Sequence, residues 1–248
     1  MDLSQSTQST QLIEERLLFQ NEACLVINKL PGESSEFPRI ETAGGEKLFP
    51  AHRLDMPVSG CLLLARNPEA AAFLGKAFAN STASEQPRLV EKIYWAIIEN
   101  PQAADALAPC GELVHWLGVN KKTNKSFAVA PDKSGCPPSL KVRREGLKKA
   151  VLRYRVIGQG ERYLFLEVDL VTGRHHQIRA QLAAIGLHIK GDLKYGARRS
   201  EKGGGIRLHA RSLAFPNPMN PGETIRVNAP LPVMDSLWMA FDNYFLMK

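Results

Sequence analysis

The chain has 248 residues, of which 44% are hydrophobic and 23% charged, and its formal net charge is +7. This length allows one large domain or two small ones, and the composition is typical of a soluble globular protein. No stretch reaches the roughly 18 apolar residues of a membrane span. The polar start, MDLSQSTQST, has neither the basic region nor the apolar region of a signal peptide, so residues 1–10 are predicted to be a disordered tail.

The positive charge is concentrated in one part of the chain. Residues 141–211 hold 17 Lys or Arg against 6 Asp or Glu, an excess of 11, so the rest of the chain sums to −4. A basic region of this kind favours a polyanionic partner, most commonly nucleic acid. The alternatives are a solvated basic surface and anionic lipid, but no basic amphipathic helix with aromatic anchors supports lipid binding.

The cysteines give no sign of a disulfide framework or of a metal site. The four of them lie far apart and form no C-x-x-C motif; they are Cys24, Cys61, Cys110 and Cys136. We therefore predict a protein of the reducing cytoplasm.

The first part of the chain is predicted to contain strands and one helix. Residues 16–30 indicate two strands separated by a polar turn. Asn67 and Pro68 are suited to begin a helix that continues through residues 70–79. Residues 90–98, VEKIYWAII, indicate a strand with Tyr94 on one face and Trp95 on the other.

The later part is also rich in strands. Residues 100–150 indicate either β-hairpin arms or a mobile insertion, and strands are predicted at 150–157, 163–170, 208–215 and 224–227. A helix is expected between Gly173 and Gly186, and a closing helix over residues 237–245. Strands often follow one another directly, which indicates an α+β fold with a mixed, mostly antiparallel sheet and flanking helices. No repeat and no clear boundary divides the chain, so we predict one domain over residues 11–248.

One segment combines charged residues with a buried strand. Residues 52–65 read HRLDMPVSGCLLLA, in which a polar cluster and a bend precede an uninterrupted apolar run. Asp55 therefore lies on a loop anchored by a core strand, which holds a side chain rigid yet reachable. The alternative is a surface ion pair between Arg53 and Asp55, with the aspartate capping the bend.

Several kinds of enzyme are excluded by the motifs that the chain lacks. It contains no phosphate-binding G-x-x-x-x-G-K-[ST] loop, no dinucleotide-binding G-x-G-x-x-G turn between a strand and a helix, and no H-E-x-x-H. His175 and His176 are adjacent, so on a helix they would point about 100° apart. We therefore expect no metal and no cofactor. What remains suits a carboxylate nucleophile or base acting on an anionic, base-bearing substrate.

The motifs HRLDMPVSGCLLLA, EKIYWA, VTGRHHQIRAQL, GDLKYG and RLHARSLAF occur in the order and spacing of the RluA-type RNA pseudouridine synthases. The chain resembles this family from about Leu17 to Pro218, so residues 11–248 are expected to be one catalytic domain, without the N-terminal accessory RNA-binding domain that many members carry. The resemblance implies an isomerase that converts specific uridines of ribosomal or transfer RNA to pseudouridine, with a mixed sheet split by a central active-site cleft. Its partner would be RNA, and we expect a monomer with no membrane association.

The resemblance also implies roles for individual residues. Asp55 corresponds to the catalytic aspartate, Tyr94 to the tyrosine that stacks on the target uracil, and Arg179 to the arginine that pairs with the catalytic carboxylate. Arg53 resembles the arginine that enters the RNA helix where the target base leaves. From the same motifs, RNA contacts are predicted for four more residues, which are His52, Arg174, His176 and Gln177. For the histidines, and for His209, the alternative is a structural hydrogen bond.

Two other functions are compatible with the same residues. An RNA-binding assembly factor could keep this scaffold without activity, although the intact Asp55, Tyr94 and Arg179 argue against it. An N-glycoside hydrolase could use the same carboxylate but would release free uracil. The chain departs from the family pattern at Val58, where a hydroxyl is usual, at Lys29-Leu30-Pro31-Gly32, and at His188, where proline is common.

Overall fold

The structure is a computed structural model, and it describes residues 16–36, 47–80, 88–99, 107–131, 146–201, 204–232 and 235–247. The predicted tail at residues 1–10 lies outside these ranges. The chain forms two compact units. The first contains residues 1–92 and 209–232, and the second contains residues 93–208 and 233–248. One catalytic domain over residues 11–248 stays a prediction.

The first unit is built on a mixed sheet. Its strands are β1 (Leu17–Gln20), β2 (Cys24–Lys29), β3 (Phe49–Pro50), β4 (Ser59–Ala65), β11 (Leu208–Asn217) and β12 (Asn220–Asn228). The hydrogen-bonded order is β1-β2-β4-β11-β12, and β3 also pairs with β4. β4 and β11 are parallel, with Ser59 opposite His209, whereas the other pairs are antiparallel. The apolar run of β4 is buried along its whole length, as its sequence predicts.

Helix α1 (Pro68–Asn80) covers one face of this sheet. Asn67 Oδ1 accepts a hydrogen bond from the backbone amide of Ala70 at 2.8 Å, which is the predicted N-terminal cap. Ala70, Leu74 and Ala77 repeat at four- and three-residue spacing and are buried in one hydrophobic cluster with alternate residues of β2 and β4. The periods of helix and strand thus produce the core.

The second unit contains a sheet of antiparallel strands. They are β5 (Glu91–Glu99), β6 (Cys110–Asn120), β7 (Lys125–Val129), β8 (Lys148–Gln159), β9 (Tyr163–Asp169) and β10 (His188–Ile189). The order is β5-β9-β8-β6-β7, and β10 pairs with β5. β6 and β7 show that the hairpin alternative for residues 100–150 holds for residues 110–129.

Two helices pack on this second sheet. α2 (Gln177–Ala184) contributes Ala180 to a small core with Leu117 of β6 and Ala150 of β8. α3 (Ser236–Leu246) stacks Phe241 on Trp95 of β5, with the ring centroids 4.4 Å apart. No helix among the described residues is long and apolar enough to cross a membrane. The α+β class, with a mixed, mostly antiparallel sheet and flanking helices, is confirmed.

Candidate active site

Asp55 lies at the first position of a tight turn that leads into β4. Its carbonyl oxygen accepts a hydrogen bond from the amide of Val58 at 2.9 Å, which closes the turn over Met56 and Pro57. The Asp55 side chain is half-buried, while Met56 is exposed. The aspartate therefore combines a fixed backbone with partial access to solvent.

A buried lysine fixes the backbone of this turn. The side chain of Lys29, at the end of β2, is fully buried, and Nζ donates to the carbonyl oxygens of Leu30, Met56 and Val58 at 3.0, 3.1 and 2.7 Å. These three bonds use all three hydrogens of an ammonium group. Burial lowers the pKa of Lys29 to about 8, although the negative charges of Glu33 and Asp55 oppose this shift.

The residues before Asp55 are also held by hydrogen bonds. Ser35 Oγ accepts from the amide of Leu54 at 2.9 Å and donates to its carbonyl oxygen at 2.8 Å. His52 Nε2 accepts from the amide of Leu63 at 3.1 Å, and its ring stacks on Phe78. Since Nε2 is an acceptor, His52 is neutral, and burial, helped by the charge of Lys92, lowers its pKa to about 3. His52 supports the loop, and its RNA contact stays a prediction.

The exit from the turn is packed closely against β11. Ser59 Oγ and His209 Nδ1 lie 2.9 Å apart in the interior. Burial, reinforced by the charge of Arg211, lowers the pKa of His209 to about 3. Gly60 adopts φ +111°, and a Cβ atom there would lie 2.3 Å from the carbonyl oxygen of Ala210. A glycine is therefore required at this point.

Arg53 is the exposed residue of the motif. Its side chain is 69% exposed and forms an ion pair with Glu36, which is 66% exposed. An ion pair this accessible to water contributes little to stability and is readily exchanged for another anion. Arg53 can thus reach an external phosphate, as its predicted role requires.

Tyr94 lies in β5, opposite Val168 of β9, and is 7% exposed. Trp95 packs on α3, so alternation along the strand places Tyr94 on the face away from that helix, in accordance with the predicted alternation.

Arg179 is buried in α2 and forms a bidentate ion pair with Asp192. Arg179 Nε and Nη2 donate to the two carboxylate oxygens of Asp192 at 2.7 and 2.8 Å, and the side chains are 5% and 1% exposed. The sequence predicts a pairing of Arg179 with Asp55, but it does not identify Asp192 as a partner. Pairing with Asp55 stays a prediction. The sequence feature that could have pointed to Asp192 is its place as the one acidic residue of the GDLKYG motif, but the motif alone assigns it no partner.

The other predicted contacts surround the start of α2. The Gln177 side chain is buried, accepts from Thr172 Oγ1 and the Arg174 amide, and donates to the carbonyl oxygen of Val151. Arg174 Nε donates to the carbonyl oxygen of Lys149 at 3.3 Å. His176 is half-buried and has φ +50°. Gln177 and Arg174 therefore organise the entry to the helix, and their contacts with RNA stay predictions.

The predicted site residues divide between the two units. His52, Arg53 and Asp55 belong to the first, and the second holds Tyr94, Arg174, His176, Gln177 and Arg179. Among the residues that the structure describes, no group of three or more His, Cys, Asp or Glu side chains is arranged to hold a metal ion.

Comparison with known families decides the class of this chain. Residues 18–184 match the family model described as RNA pseudouridylate synthase. The chain belongs to this family. The match includes HRLD, the Tyr94 strand and the Arg179 helix, so the resemblance to RluA-type pseudouridine synthases is confirmed.

Relatives within the RNA pseudouridylate synthase family differ in how much of their length is matched. An uncharacterized RNA pseudouridine synthase of Bacillus subtilis is 32% identical over 73% of this chain but only 51% of its own length. Another, from Zymomonas mobilis, is 29% identical over 89% of this chain and 95% of its own. The tRNA pseudouridine synthase C of Haemophilus ducreyi is 29% identical over 94% of this chain and 96% of its own.

Solved structures share the fold of this family member. The human protein RNA Pseudouridylate Synthase Domain Containing 4 superposes with a TM-score of 0.71, covering 98% of this chain and 97% of its own at 21% identity. Human RNA Pseudouridylate Synthase Domain Containing 1 gives a TM-score of 0.66, covering 92% and 94% at 21% identity.

Lys29 and Ser35 support the Asp55 turn, but the family motifs assign neither of them a role. Lys29 and Ser35 lie 26 and 20 residues before the aspartate in the printed sequence, and both act on its backbone neighbours. The sequence feature that could have identified Lys29 is a lysine at the end of an apolar strand. A buried ammonium group requires nearby acceptors, so such a lysine is expected to bind backbone carbonyls.

Proposed function

We propose that this chain isomerises specific uridines in RNA to pseudouridine and that Asp55 is the nucleophile. The observation that carries the proposal is the half-buried Asp55 carboxylate on a turn whose carbonyl groups are fixed by the buried Lys29. A nucleophile held on a rigid frame reacts with a smaller loss of freedom. Membership of the RNA pseudouridylate synthase family supplies the reaction class.

The reaction conserves all atoms of the nucleotide. The target nucleotide first leaves the RNA stack, since its glycosidic bond is otherwise hidden. Asp55 attacks either the sugar C1′ or the ring C6, the C1′–N1 bond breaks, and the uracil rotates. A C1′–C5 bond then forms, the bond to Asp55 breaks and returns the free carboxylate, C5 loses its proton and N1 gains one. No cofactor or metal is required for this balance.

The other residues take the roles that the family resemblance gives them. Tyr94 would stack on the extruded uracil, an interaction worth about 1–3 kcal/mol per base, and assist removal of the C5 proton. Arg179 would keep the Asp55 carboxylate ionised, and Arg53 would fill the gap that the flipped nucleotide leaves. The likeness to tRNA pseudouridine synthase C over most of both chains makes transfer RNA the first substrate class to test, with ribosomal RNA the second.

The experiment uses RNA from a strain that lacks this protein, incubated with wild type or with Asp55→Asn. Wild type should restore one or a few pseudouridines, and Asp55→Asn should restore none while RNA affinity stays within a few-fold, because an amide keeps the shape but is a poor nucleophile. Asp242→Asn, a matched change in α3, should behave as wild type. Pseudouridine formed by Asp55→Asn would refute the nucleophile assignment.

The same assay separates the two alternative functions. Release of free uracil by wild type would identify an N-glycoside hydrolase. Binding of RNA by wild type without turnover would identify an assembly factor.

A further inference from the structure

The segment Gly191–Gly196, GDLKYG, has no role in the proposed reaction, yet two of its side chains are almost completely buried. Asp192 is 1% exposed and Tyr195 is 4% exposed. The segment follows β10 and forms a short 3-10 helix over Leu193–Tyr195. Both buried side chains contact Arg179 of α2.

Asp192 fixes the plane of the Arg179 guanidinium group. Two parallel N–H···O bonds of 2.7 and 2.8 Å join them, and this fork geometry allows one orientation only. The backbone of Asp192 is itself held, since its carbonyl oxygen accepts from the amides of Tyr195 and Ala197 at 2.9 and 3.0 Å. The pair uses two of the five N–H donors of Arg179.

The ring of Tyr195 supports the same guanidinium group from a second direction. The Arg179 guanidinium carbon lies 4.9 Å from the ring centroid, which is within the range of a cation–π interaction. Lys125 Nζ lies 4.8 Å from the same centroid. The position of this ring therefore affects where Arg179 can lie.

The hydroxyl group of Tyr195 fixes the ring through three hydrogen bonds. It accepts from the amide of Ser126 at 2.9 Å and donates to the carbonyl oxygen of Ser126 at 3.0 Å. His176 Nδ1 lies 2.9 Å away and must donate its hydrogen, because the hydroxyl has only one hydrogen and has already given it. Removing the hydroxyl would therefore leave three groups without this partner.

His176 connects the hydroxyl to the helix that carries Arg179. It precedes α2 directly, in a left-handed conformation at φ +50°, and its carbonyl oxygen accepts from the amide of Ala180. Few residues with a Cβ atom adopt this conformation, and here the contact with Tyr195 helps to hold it. Tyr195 thus holds the start of α2 by its hydroxyl and the Arg179 side chain by its ring.

We propose that Tyr195 is a positioning residue that acts through Arg179. The inference rests on the proposed function, in which Arg179 serves the reacting carboxylate. Tyr195 touches neither substrate nor nucleophile in this role. It sets the direction in which Arg179 presents the donors that Asp192 does not use.

The test is a double-mutant cycle with Tyr195→Phe and Arg179→Lys, followed by single-turnover pseudouridine formation. Tyr195→Phe should lower the rate by about 10–100-fold, since displacing a catalytic group by about 1 Å costs that much. RNA affinity should stay within about threefold, and thermal melts report the folded fraction. In the Arg179→Lys background the same change should have little further effect, because coupled residues are not additive.

Tyr154→Phe is the matched control, since Tyr154 is also buried in the second unit, at 8% exposure. It should leave the rate unchanged. A folded Tyr195→Phe with the wild-type rate, or effects that add in the double variant, would overturn the positioning role. Wild-type protein that makes no pseudouridine from either RNA class would instead refute the proposed function.

Discussion

At the scale of single residues, burying the ammonium group of Lys29 opposes folding, and three backbone carbonyls offset this cost. The balance leaves the pKa of Lys29 at about 8, below its ordinary value of 10.5. Two of the three carbonyls belong to the turn that carries Asp55. The lysine therefore links the stability of the first unit to the position of the proposed nucleophile.

Lys29→Met should lower the free energy of unfolding by about 2–3 kcal/mol near neutral pH, because three buried acceptors lose their donor. Urea unfolding measures this free energy. The control Lys76→Met, on the exposed face of α1, should change the free energy of unfolding by less than about 0.5 kcal/mol. A variant as stable as wild type would mean that the carbonyls do not depend on Lys29.

The pH dependence of the same comparison gives an independent check. The lowered pKa means that the unfolded chain binds the Lys29 proton more tightly between pH 8 and 10.5, so wild type gains stability as pH rises through that range. The gain is up to about 3 kcal/mol and is absent from Lys29→Met. The difference between the two proteins should therefore widen with pH.

The sequence predicted the position of Asp55 better than its surroundings. A polar cluster ahead of an apolar run is a local pattern, and β4 and the turn follow from it. The supports of the turn and of Arg179 come from distant parts of the chain, namely Lys29, Ser35 and Asp192. Such pairings depend on the tertiary fold, so a single sequence does not determine them.

At the scale of secondary-structure elements, local patterns predicted most strands and all three helices of the described residues. The β6–β7 hairpin was one of two alternatives, because its lysine-rich turn hides the alternation of the strands. Asn124 in that turn has φ +47°, a conformation that asparagine tolerates well. The start of α2 at Gln177 was also hard to predict, because the side chain of the N-cap residue His176 forms no capping hydrogen bond.

Two glycines of the first unit should respond oppositely to alanine. Gly60→Ala should lower the free energy of unfolding by about 3 kcal/mol or more, since its Cβ would collide with the Ala210 carbonyl at φ +111°. Gly75→Ala should raise it by about 1 kcal/mol, because Gly75 is exposed within α1 and an added Cβ meets nothing within 4 Å. Thermal or urea unfolding of both variants measures the difference.

Equal effects of Gly60→Ala and Gly75→Ala on the free energy of unfolding would contradict this prediction. If Gly60→Ala were tolerated, β4 and β11 would have to separate locally, and the close backbone contact at Gly60 would not be a requirement of the fold. Activity assays on the folded fraction of Gly60→Ala would then show whether the contact serves the Asp55 turn instead.

At the scale of the whole molecule, three histidines with lowered pKa values link stability to acid. Burial lowers the pKa of His52 and His209 to about 3 and also lowers that of His115. His52 and His209 support the first unit, and His115 lies in β6 of the second, where Nδ1 contacts the Gln181 amide at 3.1 Å. Both units should therefore lose stability in mild acid.

The direction in which stability changes with pH follows from the number of protons that the folded and unfolded states bind. The unfolded chain protonates His52 and His209 near pH 6.5, whereas the folded chain protonates them only near pH 3, so the unfolded state binds more protons between those pH values. The free energy of unfolding should then fall by about 1.4 kcal/mol per pH unit for each of these two histidines as pH drops below about 6.5, and the lowered pKa of His115 acts in the same direction. Most carboxylates titrate below about pH 5, so they contribute little to this slope.

Urea unfolding at several pH values between about 7 and 5 measures the slope, and His209→Gln should reduce it by the contribution of one proton. The comparison uses the slope, so it holds even if the variant is less stable because the contact with Ser59 is lost. A wild-type stability that is flat over this range would mean that His52 and His209 accept protons in the folded state. The neutral state described for both side chains would then be wrong.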